Sequence, residues 1–327
     1  MMETALITGA NGFIGSHLAC ELVRRGFMVY GVHRNPKSKN EEYNRYVEEG
    51  KIVTFLGDVS NFDTSRLPQV NYVYHIAGKV SAWGKMEEFR KINLGGTQIF
   101  LRYAKECNVK CFTYLSSVAV YGFYGYKQIG EDAEKRPFKN PYSLSKLETE
   151  NYVRQYATEE NLPFVIIRPG NVYGEYDYTS SHEVYALIKK GKMIIIDDGR
   201  HESCWIYVKN LVEAIILTSL NKDSHNTDYN VADGNTSLKD YLTKVALSYN
   251  VKPKFKNFPA PLAKLTAFLV EAFYTLFHIK KAPLITRFTV YQNCGDYSFS
   301  TKKIEATGYK KVYSEEEGIK RTVGYFK

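Results

Sequence analysis

The chain is 327 residues long, 44% hydrophobic and 24% charged, with a formal net charge of +9 at pH 7. That is enough apolar length to bury a large core in one large or two medium domains. The positive balance does not mark a nucleic-acid binder: basic residues are spread along the chain and alternate with acids, as in KMEEFRK and GEDAEKRPFK, whereas a phosphate footprint clusters on one element.

Thr4–Thr8 reads as a short apolar strand with no apolar run before it, so no signal peptide is expected and the chain is assigned to the cytoplasm. An amphipathic helix follows at Phe13–Arg24 and a second strand at Met28–Val32. Further β-rich runs lie at Ile52–Leu56, Tyr72–Ala77, Cys111–Ser116 and Phe164–Arg168, with helical patterns at Glu41–Glu49, Phe89–Glu106 and Ser143–Thr158 between them. Strands alternating with helices predict an α/β fold, a Rossmann-type doubly wound parallel sheet covered on both faces. Beyond about residue 175 the pattern loosens into helical segments at Glu183–Lys190, Val208–Leu220 and Leu238–Tyr249. This predicts a first domain over residues 1–175 and a smaller C-terminal substrate-binding lobe over 176–327, with 208–222 returning to the first domain. The crevice between them is where open α/β sheets bind ligands. Five cysteines (Cys20, Cys107, Cys111, Cys204, Cys294), odd in number and without ligand-like spacing, read as small buried hydrophobes of a reducing compartment, and no metal is expected.

Pro261–Ile279 (PLAKLTAFLVEAFYTLFHI) is apolar apart from Lys264, Glu271 and His278, which recur every seven residues as one polar stripe. A spanning helix needs about 20 predominantly apolar residues with few charges, so no transmembrane span is expected. The segment suits a core or dimer helix, an apolar lid over a hydrophobic substrate, or a helix lying in a membrane interface. The lid is preferred to the membrane, with peripheral membrane contact through 261–279 left open.

Gly9, Gly12 and Gly15, in TGANGFIG, follow a strand and open a helix. Glycine permits a tight turn and close backbone approach, and the helix N-terminus offers unpaired N–H groups to a pyrophosphate. At the end of the second strand a dinucleotide site for NAD places an acid on the ribose 2′-hydroxyl. Here the run is VYGVHRNPKSK, with His33 and Arg34 in that place and Lys37 and Lys39 beyond. A guanidinium can clamp a 2′-phosphate, so NADP(H) is the preferred cofactor, with NAD(H) admitted. Tyr142 and Lys146, in NPYSLSKLETE, lie one helical turn apart on one face. A neighbouring ammonium favours phenolate and would bring the tyrosine, whose ordinary pKa is about 10, toward the pH at which a general acid/base works best.

With these motifs in order the chain resembles an extended short-chain dehydrogenase/reductase along nearly its whole length, and the resemblance implies further roles. TGANGFIG is similar to the family's cofactor turn, which brings Asn11, Phe13 and Ile14 into the site beside the three glycines. GDVS at 57–60 implies that Asp58 and Val59 meet adenine, HIAG at 75–78 places Ala77 and Gly78 beside the cofactor, and NLGGT at 93–97 places Asn93 near the active site. LSSVAVYG at 115–122 carries the third catalytic residue, assigned to Ser117 rather than Ser116, and RPGNVYG at 168–174 brings Pro169 and Val172 to the nicotinamide. Tyr142 would then exchange the proton, Lys146 would lower its pKa and hold the nicotinamide ribose, and Ser117 would bind the reacting oxygen. Residues 1–175 become an NADP(H)-binding domain, and a homodimer through the helix bearing Tyr142 and the helix at 89–106 is implied.

Within that superfamily, no acid pair follows Ser117, where Val118 and Ala119 stand, so elimination is not expected. ESCWIYVKNL has Ser203 and Cys204 where many nucleotide-sugar epimerases carry an Arg-Asp pair, although Arg200 or Lys209 could compensate. HIAGKVSAWG, APLITRF and DYSFSTKKIEATGYK resemble the 3β-hydroxysteroid dehydrogenase-like branch. The expectation is an oxidoreductase interconverting a hydrophobic ketone and its secondary alcohol, with Lys79, Trp83 and Ser117 as substrate contacts. A nucleotide-sugar epimerase or keto-reductase is the alternative.

Overall fold

A computed structural model describes residues 2–327. Seven strands form the main sheet: β1 (Thr4–Thr8), β2 (Met28–His33), β3 (Ile52–Leu56), β4 (Tyr72–His75), β5 (Cys111–Leu115), β6 (Phe164–Pro169) and β7 (Thr227–Val231). All are parallel, in the spatial order β7-β6-β5-β4-β1-β2-β3. Every residue of β4, β5 and β6 is buried, which is why these strands read as apolar runs rather than as an alternation. Strand order reverses between β1 and β4, and the crevice outside the carboxyl ends there is the ligand site of open α/β sheets.

Helices cover both faces: α1 (Phe13–Arg24), α2 (Glu41–Glu48), α3 (Gly96–Glu106), α4 (Pro141–Glu159) and α5 (Val208–Leu220). Leu18 and Leu22 of α1 pack with Leu211 and Ile215 of α5 against Ala5, Ile7 and Val165. On the other face Phe100 and Leu101 of α3 join Val153 and Ala157 of α4 against Leu6, Val73, Phe112 and Ile166. The single helix expected over Phe89–Glu106 is divided. A short helix Met86–Phe89 runs into a π-helical turn, Arg90–Gly95, before α3 begins. Such turns are rare and often stand at functional sites, and this one carries Asn93.

Beyond β6 a second, smaller sheet is built around Glu202–Tyr207. It pairs antiparallel with Gly234–Ser237 and parallel with Asn171–Tyr173 and Tyr297–Phe299. Tyr126–Ile129 completes it beside Tyr297–Phe299. Two of its strands therefore come from before residue 175, while α5 and β7 from the second half lie in the main layers. Of the further helices in this half, three bear on the site: α6 (Leu238–Ser248), α7 (Ala260–Leu276) and α8 (Arg287–Asn293). α7 is not a core helix: only Ala263, Ala267 and Glu271 are buried along it. Among the described residues no helix is long and apolar enough to cross a membrane.

Candidate active site

The glycine turn joins β1 to α1 with no room for side chains. Gly9 has φ of +70° and its absent Cβ would lie 3.2 Å from the backbone of Ala77. A Cβ on Gly15 would lie 2.1 Å from the Gly9 carbonyl oxygen. The first residue before α1, Gly12, makes no side-chain cap, and the first turn holds no acid. Those N–H groups are left free to face a negatively charged group, so the turn fits a dinucleotide pyrophosphate. Asn11 donates its side-chain amide to the Asn35 carbonyl at 2.6 Å, tying the turn to the loop after β2. Phe13 and Ile14 pack against the cluster that includes Tyr173 and Tyr207, and Ile14 packs against the main-sheet core as well.

At the end of β2 the two basic residues part company. His33 is buried against the ring of Tyr43, and burial holds its pKa below the ordinary value. It is core, not a cation reaching for a phosphate. Arg34 is exposed, with its guanidinium 3.9 Å from Asp58. The Asp58 carboxylate accepts from the Ser60 N–H at 2.9 Å, the first cause of its lowered pKa. Val59 is buried under Gly96.

The catalytic candidates converge at the carboxyl ends of β4 and β5. Asn140 caps α4, accepting from the Ser143 N–H at 3.1 Å, and Pro141 follows in the first turn, where its missing N–H costs nothing. The helix then presents Tyr142, Lys146 and Glu150 at four-residue intervals. Lys146 is buried and donates to the Leu115 carbonyl at 2.7 Å, with its ammonium 5.0 Å from the centre of the Tyr114 ring. A Cβ on Gly78 would lie 3.2 Å from Asn93 Oδ1 and 3.4 Å from Lys146 Nζ. Gly78, Asn93 and Lys146 thus meet at one point. Asn93 is itself held: Oδ1 accepts from the Lys79 N–H at 2.6 Å and Nδ2 donates to Ser145 Oγ at 2.9 Å. Ala77 donates its N–H to Thr8 Oγ1 at 3.1 Å.

The two adjacent serines have different surroundings. Ser116 is buried and donates to Glu150 at 2.9 Å. Ser117 accepts from the Ala119 N–H at 3.2 Å and lies beside the Tyr142 phenol. Beneath them Arg168 is wholly buried, bonding Glu150 Oε2 through Nε at 3.0 Å and donating to the Tyr121 hydroxyl at 2.6 Å, with Asp228 against its other amine. Paired in this way the buried charges pin α4 to β6, since removing one partner leaves an uncompensated charge.

Protonation differs from the expectation at one point. Burial pushes the Tyr142 phenol above its ordinary value, opposed by hydrogen bonding from Ser117, and Lys146 is not among the groups that lower it. The physical reason is that the ammonium is engaged by the Leu115 carbonyl and is itself held down, to about 8, by burial against the pull of Glu150.

Tyr142 has an aromatic wall. Phe288, at the start of α8, meets it edge-on at 6.3 Å, and Phe123 and Phe138 pack on Phe288 in turn. One turn along the same helix, Gln292 donates to Asn171 at 3.0 Å, and Asn171 donates to the Tyr297 hydroxyl at 2.7 Å. These three residues line a cavity of about 330 Å³ that also holds Trp205, stacked on Tyr241 at 3.9 Å. Sequence reasoning assigned none of them: Asn171 stands in RPGNVYG between two named residues, Pro169 and Val172, and α8 arrives from far along the chain. Pro169 closes β6, and Val172 sits in the strand paired with Ile206. Of the substrate candidates, Lys79 has its ammonium paired with Glu88 at 2.6 Å and so offers the site its backbone, while Trp83 donates to the Ile279 carbonyl at 3.1 Å.

Residues 5–232 match the family model "NAD dependent epimerase/dehydratase family". The chain is 26% identical to dTDP-D-glucose 4,6-dehydratase of Mus musculus, over 99% of this chain and 89% of that one. It is also 26% identical to the sterol-4-alpha-carboxylate 3-dehydrogenase (decarboxylating) of Schizosaccharomyces pombe, over 99% and 97%. Among solved structures it superposes on UDP-glucuronic acid 4-epimerase from Bacillus cereus in complex with NAD with a TM-score of 0.78, at 20% identity over 99% of this chain and 98% of that one. A glycine turn that fits a pyrophosphate, a buried lysine beside Gly78, and a family match across the whole main sheet lead to one assignment: the chain is a nicotinamide-dinucleotide-dependent enzyme acting on CH–OH groups, and it belongs to the NAD-dependent epimerase/dehydratase family of extended short-chain dehydrogenases/reductases.

Proposed function

We propose that the protein is an NADP(H)-dependent oxidoreductase of the 3β-hydroxysteroid dehydrogenase-like branch, interconverting a hydrophobic ketone, steroid-like, alicyclic or long-chain, and its secondary alcohol. The observation that supports the reading is the aromatic wall at Tyr142, led by Phe288 and backed by Phe123 and Phe138, because apolar pockets with a few polar groups suit such substrates. The nicotinamide, when bound, supplies or accepts the hydride. Ser117 holds the carbonyl oxygen and Tyr142 gives it the proton, or takes it in the reverse direction. Lys146, fixed by the Leu115 carbonyl, carries the positive charge on the face of α4 that bears Tyr142. Gly9, Asn11, Gly12, Phe13, Ile14, Gly15, Asp58, Val59, Ala77, Gly78, Asn93, Pro169 and Val172 are proposed to line the cofactor. The phosphate preference is proposed to rest on exposed Arg34, not on His33.

Replacing Tyr142 with Phe is expected to lower kcat by about 100-fold or more while leaving cofactor affinity within a few-fold. Retained turnover would overturn the role. Arg34→Glu should raise the KM for NADPH more than that for NADH, and a wild-type preference for NADH would refute the phosphate reading.

The cavity around Asn171, Gln292 and the stacked Trp205 and Tyr241 favours one second reading, a nucleotide-sugar epimerase or keto-reductase. Saturable protection of the fold by UDP, with no turnover of any apolar ketone, would select it. Residues 1–175 with 208–222 are proposed as the cofactor domain and the rest as the substrate lobe. A homodimer through α3 and α4 in the reducing cytoplasm is proposed with them.

A further inference from the structure

α7 is amphipathic in reverse. Its buried line, Ala263, Ala267 and Glu271, is small or charged and packs near Val290 and Ile285. Its outward side carries Leu265, Phe268, Leu269, Phe273 and Leu276, and Phe277 follows at its end, each between 53% and 72% exposed. Folded proteins seldom leave so continuous an apolar strip in water, and one that does marks an interaction surface. Beyond the helix, Leu284 stands fully exposed on the loop leading to α8.

Charge tells what covers this strip. Between residues 260 and 288 the sole acid is Glu271, and it is turned inward, accepting from the Arg287 N–H at 2.7 Å and from its guanidinium at 2.5 Å. The exposed ionisable groups of this segment are therefore Lys264, His278, Lys280, Lys281 and Arg287, all basic; from outside it Glu88, exposed and already paired with Lys79, comes near Lys280. A two-fold contact between copies presents the same patch to itself, so these cations would face one another. A negatively charged lipid surface answers both features at once, taking the apolar side chains below its headgroups and the lysines among them.

The strip also leads to the proposed active site. Tyr274 of α7 meets Trp83 edge-on at 6.0 Å, and the Ile279 carbonyl just beyond the helix accepts from the Trp83 indole at 3.1 Å. Trp83 lies on the loop that continues from Gly78 and Lys79, whose backbone N–H is bonded to Asn93. At the other end of the connecting segment Phe288 abuts Tyr142.

We propose that the outward face of α7, with Leu284 and the Lys280–Lys281 pair, docks the enzyme on an anionic membrane surface, bringing the mouth of the Tyr142 site against the bilayer. The docking stands on the surface alone; delivery of an apolar substrate from the bilayer rests in addition on the ketone reading.

The test is sedimentation of the full chain with vesicles of phosphatidylcholine, with or without phosphatidylglycerol, at low and high salt. Wild type should pellet with the mixed vesicles, and salt should release it. Lys280→Glu/Lys281→Glu should lower the partition coefficient about ten-fold or more, and Leu269→Glu/Phe273→Glu should abolish pelleting. Both variants change exposed side chains, and circular dichroism checks that they fold. Failure of wild type to pellet overturns the proposal, as does pelleting indifferent to phosphatidylglycerol. Sedimentation equilibrium showing a dimer that Leu269→Glu/Phe273→Glu dissociates would assign the strip to a second copy instead and overturn it too. Binding is read without turnover, so failure of the ketone reading leaves this result intact. Under that reading, mixed vesicles should raise turnover of a bilayer-partitioned ketone in wild type and not in the lysine variant.

Discussion

Three side chains on one face of α4 divide the work of the site by depth. Tyr142 faces the aromatic wall, Lys146 lies beneath Gly78, and Glu150 is deepest, bonded to Ser116 and Arg168. Glu150 is a positioning residue whose carboxylate raises the pKa of Lys146 against the larger, opposite effect of burial. Replacing Glu150 with Gln removes that support, so the lysine should lose its proton at a pH below its present value of about 8. If the ammonium is the working form, the alkaline limb of the kcat/KM profile moves to lower pH while activity on the acid side holds. Asp228 still faces Arg168 in this variant, which limits the stability loss to less than the ~3–5 kcal/mol of an unpaired buried charge. A lowered melting temperature with an unmoved pH profile would reduce Glu150 to a strut.

Element by element, the parts of the site differ in how they announce themselves. Thr4–Thr8, Phe13–Arg24 and Val208–Leu220 have the bounds that periodicity predicts, because strand and helix there are set by burial on a local repeat. The turn between the first two is equally local, and it gives a sharp test. Gly15→Ala drives a methyl group into the Gly9 carbonyl at 2.1 Å, where only backbone could move. A loss of more than about 2 kcal/mol is expected, beyond the usual 1–3 kcal/mol of overpacking at its lower end. By contrast Gly324, in the helix Glu315–Tyr325, has open space at its Cβ position, and Gly324→Ala should be neutral or stabilise by up to ~1 kcal/mol. Equal effects in urea denaturation would refute the close packing. The π-helical turn at Arg90–Gly95 had no such signal. One extra residue in a turn leaves the same side chains apolar, so the pattern over Phe89–Glu106 reads as one helix. Nor could spacing find Phe288, which reaches Tyr142 only because α8 returns across the sheet, or show that His33 points into the core beside Tyr43. For α7 only the core reading fails, because hydropathy measures what a helix is made of, not which side it buries.

For the whole molecule, the buried ionisable groups set how stability follows pH. His75, at the end of β4, lies wholly buried among Phe100, Phe112 and Tyr114, with ring centroids 5.6–6.2 Å away and Nδ1 3.0 Å from Thr8 Oγ1. Burial, and secondarily the charge of Lys146, hold its pKa down to about 3 against an ordinary 6.5. Between those values the unfolded chain binds a proton that the folded chain refuses. This contribution is therefore complete above pH 6.5 and is lost as the pH falls toward 3, at up to about 1.4 kcal/mol per pH unit. Asp233 works the other way. Burial raises its carboxyl from 3.8 to about 6, so it favours the fold below 3.8 and gives that up as the pH rises through 6. Over their common range the two partly cancel. His75→Phe keeps an aromatic ring in the stack, and Thr8 Oγ1 still accepts from the Ala77 N–H. In this variant urea midpoints should fall less than in wild type as the pH is lowered from 6.5 toward 4, the remaining slope coming from His17 and His33, which burial also holds below the ordinary histidine value. An acid slope as steep as that of wild type would place the acid sensitivity in the carboxylate network around Arg168 and not in the histidine.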